Sequence, residues 1–99
     1  MADLTAVEGF DWDEGNSRKS LDKHSVRQAE AEQVFNGEPL LTDDIKHSAD
    51  EARFQALGET ADGRLLHVTF TLRDDGKKIR IISARDMNRK ERAIYEQKS

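Results

Sequence analysis

The side chains of this 99-residue chain that are able to take part in chemistry fall into two groups. One comprises Lys23-His24 and the stretch "DDIKHSADEAR", which brings His47, Glu51 and Arg53 close together in sequence. The other is "RIISARDMNRKER", residues 80–92, an apolar run ringed by Arg80, Arg85, Arg89 and Arg92. His67 stands apart from both. With no cysteine the chain offers no thiolate zinc site, and no two histidines have the spacing of metal ligands on one helix. Histidines and a carboxylate near guanidinium groups suit metal-free cleavage of an RNA phosphodiester. That reaction needs a base for the 2′-hydroxyl proton, an acid for the 5′-oxygen and cations around the charged phosphorus centre. Guanidinium groups supply forked donors that match phosphate oxygens in pairs. Plainer roles are open to the same residues. His24 can cap a helix end, His67 can fill a sheet, and the arginines can pair with Glu51 or Asp74 or face solvent.

The elements that must position these groups are legible in part. "DWDEGNSRKSLDKH" predicts a helix capped by Asp13, and "SVRQAEAEQVF" predicts a second, with Ser25 and Gln28 as a capping box and "NGEP" as its stop. Leu40–Leu41 reads as a short strand. From Arg53 the period becomes two. "RFQALG" and "RLLHVTFTLR" alternate, "ETADG" turns between them, and "DDGK" puts Asp75-Gly76 where a type I′ hairpin needs positive φ. "KIRIISA" is the next strand, and Asp86 is expected to cap a C-terminal helix running to about Gln97. The fold class is therefore α+β, a small single domain spanning 1–99. It has two N-terminal helices, an antiparallel β-sheet meander at about 53–84 and a C-terminal helix, with the helices on one side of the sheet. Residues 1–9 are expected to form a flexible arm.

Counting outward from the hairpin assigns side chains to faces. Phe54, Val68, Phe70, Ile79, Ile81 and Ser83 fall on the apolar side. Arg53, Gln55, Leu57, His67, Thr69, Thr71, Arg80 and Ile82 fall on the reverse side, with Arg53, Thr71 and Arg80 in one row. On the last helix Arg85, Arg89 and Arg92 form a stripe opposite Met87 and Ile94.

Charge is unevenly spread. The net value is −4, but residues 1–63 hold 6 basic against 15 acidic side chains and residues 64–99 hold 10 against 5. A polyanion would meet the second half and a cationic partner the first. The 35% hydrophobic content predicts a thin core. The acidic N-terminus lacks the basic start of a signal peptide and no segment has the length of a membrane span, so a cytoplasmic protein with no membrane partner is expected.

"FDWDEGN", "DKHSV", "AEAEQVF", "DDIKHSADEARFQALG", "GRLLHVTFTLR" and "IRIISARDMNRKERAIYE" together resemble the BrnT family of type II toxin–antitoxin toxins, from about Phe10 to Glu96. The resemblance implies a RelE-like fold and a metal-independent, mRNA interferase-like endoribonuclease without a cofactor that arrests translation. It also implies a DNA-binding BrnA antitoxin, through which alone the toxin reaches operator DNA and co-represses its operon. The family's recurring polar positions fall here on Lys23, His24, His47, Glu51, Arg53, Arg80, Arg85 and Arg89. On this reading Arg53, Arg80 and Arg85 hold the scissile phosphate, Arg89 joins them in binding RNA, and Lys23, His24, His47 and Glu51 compete for the acid and base roles. Three positions depart from the family pattern: Ser20 replaces an asparagine, Ser25 a glycine and His67 an aliphatic residue. Two further readings keep the fold: a non-catalytic module that binds RNA or protein, and a co-repressor without toxicity.

Overall fold

The alternation that begins at Arg53 builds the centre of the molecule. The computed structural model describes residues 4–12, 15, 21, 23–43 and 52–98. Its elements in chain order are β1 (Gly9–Phe10), α1 (Gln28–Asn36), β2 (Leu40–Asp43), β3 (Arg53–Glu59), β4 (Leu65–Arg73), β5 (Lys78–Asp86) and α2 (Arg89–Lys98). The strands form one sheet in the order β1-β5-β4-β3-β2. Strands β2 to β5 pair antiparallel as a meander, and β1 adds to β5 in parallel. The fold is α+β, but its sheet is mixed and five-stranded rather than a three-stranded meander. Leu4 and Val7, within the segment expected as a flexible arm, pack against the core.

The hairpin is the one the sequence predicts. Asp75 and Gly76 have φ of 56° and 84°, and the Lys77 N–H donates to the Asp74 carbonyl at 3.1 Å, which gives the two positive φ values a type I′ turn needs, with Asp74 left-handed as well at 55°. Leu72 pairs with Ile79, Thr71 with Arg80 and Phe70 with Ile81. The register then shifts. Thr69 pairs with Ser83 and Val68 with Ala84, leaving Ile82 as the extra residue of a β-bulge. Ala84, not Ser83, therefore opposes Val68, and Ser83 joins Thr69 on the reverse face.

The core lies between α1 and one face of the sheet. Ala31 and Val34 of α1 and Val26 before it are buried with Ala56, Leu66, Val68, Phe70, Ile79, Ile81 and Ala84. The rings of Phe10, Phe35, Phe70 and Phe54 make successive contacts at centroid distances of 5.8, 5.0 and 5.6 Å. α1 comes so close to β3 that a Cβ on Gly58 would stand 2.6 Å from Val34 Cγ1. Only glycine lets the two backbones approach this far.

The helix ends differ in detail from expectation. Ser25 does not cap α1. It sits at φ 55°, in the left-handed region that favours glycine, after a helical turn closed by its own N–H on the Leu21 carbonyl at 3.0 Å. The α1 entry is satisfied at Arg27, whose N–H donates to Glu30 Oε1 at 3.0 Å. The helix expected from Asp13 falls largely outside the described residues; of it, Gly15, Leu21, Lys23 and His24 are described and helical. At the other end, Asp86 belongs to β5. Asn88 caps α2 instead, its Oδ1 accepting from the Glu91 N–H at 2.8 Å while Glu91 Oε1 accepts from the Asn88 N–H at 2.9 Å. α2 does not join α1 on the apolar face. Its Glu91 reaches His67 on the reverse face, Ile94 is exposed and Met87 is buried. Among the described residues no helix is long and apolar enough to cross a membrane.

Candidate functional site

The reverse face of the sheet is a ladder of three rows set by strand register. In the first, Arg53 pairs with Thr71 and Thr71 with Arg80, so the row read from the sequence is present. Neighbouring strands lie about 4.8 Å apart, which sets the two arginine backbones roughly 10 Å apart with Thr71 between them. Thr71 is buried, and its hydroxyl donates to the Ala52 carbonyl at 2.6 Å, tying the backbone just before Arg53 to the central strand. Beyond Arg80 the row meets Asp11, whose Oδ2 lies 3.9 Å from Arg80 Nη1. The second row, Gln55, Thr69 and Ser83, is polar, uncharged and half-buried. The third is Leu57, His67 and Arg85.

The bulge at Ile82 puts Arg85 there. Residues five apart in an unbroken strand face opposite sides. The extra residue restores the phase, so Arg80 and Arg85 share a face. Arg85 is held by Glu91, with Nη1 donating to Oε1 and Nη2 to Oε2, both at 2.8 Å, and Nη1 also donating to the Asp86 carbonyl at 3.1 Å. Glu91 Oε2 lies 3.6 Å from Nε2 of the buried His67. Burial pushes the Glu91 carboxyl up, but the Arg85 hydrogen bonds, the Asn88 N–H and the charges of His67 and Arg85 outweigh it and hold the group below its ordinary value. The same hydrogen bonds raise Arg85.

A second polar cluster lies at the end of the sheet, centred on Arg64. Its Nε donates to Asp86 Oδ1 at 2.7 Å and its Nη2 to Oδ2 at 3.2 Å. Nη1 donates to the Ser25 carbonyl at 2.9 Å and to Glu30 Oε2 at 3.2 Å, and Nη2 to the His24 carbonyl at 3.1 Å. One guanidinium thus binds the His24–Ser25 turn, the first turn of α1 and the end of β5. It holds Asp86 below its ordinary value by hydrogen bonding, aided by the charges of Arg64 and His24. Glu30 is lowered by the Arg27 N–H and then by Arg64.

The sequence-predicted residues are therefore distributed as follows. Arg53 and Arg80 stand in one row, and Arg85 is two rows away on the same face. Arg89 is exposed at the start of α2, and Lys23 is exposed beside a half-buried His24 on the turn held by Arg64. His47 and Glu51 lie outside the described residues. Sequence reasoning gave no role to Arg64, Asp86 or Glu91 in this arrangement. A signal existed for the first two: Arg64 occupies the core-facing phase of β4, and Asp86 pairs with Leu66. Opposite charges in an apolar phase call for a partner.

The family model described as "Ribonuclease toxin, BrnT, of type II toxin-antitoxin system" matches residues 12–91. The chain belongs to the BrnT family. The match spans the His24 turn, all three rows of the reverse face, and Glu91. Among solved structures, the ribonuclease toxin BrnT of Brucella abortus superposes with a TM-score of 0.60 at 22% identity, over 84% of this chain and all of that one. This likeness shows a shared fold. No curated protein matches the chain.

Proposed function

We propose that this BrnT-family chain is a toxin endoribonuclease that cleaves RNA without a metal ion and so inhibits translation. The observation that carries this reading is the pairing of Arg53 and Arg80 on either side of Thr71. Two like charges so placed are relieved by an anion between them, and a phosphodiester fits their forked donors. In the reaction a base takes the 2′-hydroxyl proton and the 2′-oxygen attacks phosphorus. The 5′-oxygen then leaves with a proton from an acid, giving a cyclic phosphate. Arg53 and Arg80 stabilise the charge that builds on the phosphoryl oxygens. Lys23, His24, His47 and Glu51 supply the acid and base, and Arg89 contacts the RNA beyond the scissile bond. The toxin acts in the cytoplasm and is neutralised by a BrnA-like DNA-binding antitoxin. Their complex represses its own operon, with operator DNA contacted through the antitoxin.

The test is single-turnover cleavage of a labelled RNA in chelator, alongside RNA binding at several salt concentrations, for wild type, Arg80→Ala and Arg80→Lys. Loss of one preorganised donor should lower the cleavage rate about a hundred- to thousandfold. Binding should fall far less, with a salt slope smaller by about 0.7. Lysine keeps the charge but not the fork, so it should restore binding more than cleavage. Equal losses in the two assays would identify a binding surface without catalysis.

A further inference from the structure

The geometry points to a second phosphate subsite at Arg85, separate from the Arg53–Arg80 row and held in place by Glu91. This inference rests on the reading of the reverse face as an RNA surface. It departs from a single phosphate held by three arginines. From Thr71 to His67 the central strand advances four residues, about 13 Å at the usual rise. The Arg85 guanidinium is held in the third row, because Glu91 grips it there while touching His67. One phosphate, whose oxygens must come within roughly 3 Å of each donor, does not bridge that separation. The intervening row of Gln55, Thr69 and Ser83 is uncharged and suits sugar hydroxyls rather than phosphate. The ligand is therefore a single-stranded RNA segment lying along the strands with at least two phosphates engaged.

Glu91 positions Arg85 without exhausting it. Three of the guanidinium's five donors are taken, two by Glu91 and one by the Asp86 carbonyl. The Nε–H and the second Nη2–H have no partner among the described residues, and the side chain is 35% exposed. The Glu91 carboxylate is itself shared with the Asn88 N–H and with His67. It also lies in the first turn of α2, where the helix dipole draws on its charge. Arg85 thus keeps a donor edge and part of its positive field.

The experiment uses the purified full chain and non-cleavable 2′-O-methyl oligoribonucleotides of two to eight nucleotides, with binding followed by fluorescence anisotropy. Wild-type affinity should step up once the oligonucleotide is long enough to reach the second subsite. Arg85→Ala and Glu91→Gln should abolish that step, costing about tenfold on the longest ligand and leaving the shortest unchanged. Arg80→Ala should weaken every length and keep the step. Asn88→Ala removes the helix cap without touching Arg85 and should also keep the step, which separates positioning from mere helix stability. A step that survives Arg85→Ala, equal losses at all lengths, or no step in wild type would overturn the subsite. A length step without cleavage of unmodified RNA would support the subsite and overturn the catalytic activity instead.

Discussion

Arg64 Nε and Asp86 Oδ1 lie 2.7 Å apart, and through this contact the end of β5 is fastened to the turn that carries His24. Arg64 reaches the His24 and Ser25 carbonyls with the same guanidinium. A lysine could satisfy only part of this set. Arg64→Lys should therefore lower stability by about 1–3 kcal/mol, measured by urea denaturation. The single tryptophan is a suitable probe, because Trp12 Nε1 donates to Glu32 Oε2 at 2.7 Å and so reports on docking of α1.

Acid should loosen the fold through three carboxylates. Glu30, Asp86 and Glu91 are all held below their ordinary values of 4.5, 3.8 and 4.5. The unfolded chain takes up these protons first as pH falls. Their stabilisation is complete above about pH 5 and is lost as pH drops through the lower folded-state values. Urea midpoints should decline over this acid range. They should decline less in Arg64→Ala, which removes the partner shared by Glu30 and Asp86.

Ser25 offers a gain. At φ 55° a residue with a Cβ is strained, so Ser25→Gly should raise stability by up to about 1 kcal/mol. A thermal scan of the variant that shows a lower melting temperature would mean that the Ser25 side chain makes a compensating contact.

Gly58→Ala should have the opposite effect. The new methyl would meet Val34 Cγ1, and prying α1 from the sheet should cost about 1–3 kcal/mol. Gly58→Ala combined with Val34→Ala should recover part of that loss if the clash is local.

How far the fold could be read depended on which interactions were local. The hairpin at Asp75-Gly76 follows from backbone preference alone, and the Arg53–Thr71–Arg80 row follows from counting outward from it. The count stopped being valid at Ile82, because a bulge depends on what the strand must accommodate across the whole sheet. Strand β1 was illegible for a related reason. Two residues, Gly9 and Phe10, carry no periodicity, and their pairing with Lys78 and Ile79 is set by distant packing. The place of α2 differs from expectation because Ile94 suggests an apolar face, whereas Glu91 of the helix reaches Arg85 and His67 on the reverse face. His47 and Glu51 become acid and base candidates through the family resemblance, and neither that resemblance nor their closeness to Arg53 in sequence carries distances.

The extra residue at Ile82 gives β5 a property that a list of its side chains does not reveal: its two halves are out of step with each other by design. Before the bulge odd-numbered residues face the core, and after it even-numbered ones do. Deleting that one isoleucine would straighten the strand and leave Arg85 on its face. Drawing Ile82 into the ladder opposite Thr69 would instead turn Arg85 inward, into the place opposite Leu66 now held by Asp86. Glu91 would lose its partner and α2 its anchor. Along this strand the pairing of each residue matters as much as its identity, and a one-residue slip acts as an inversion of everything downstream.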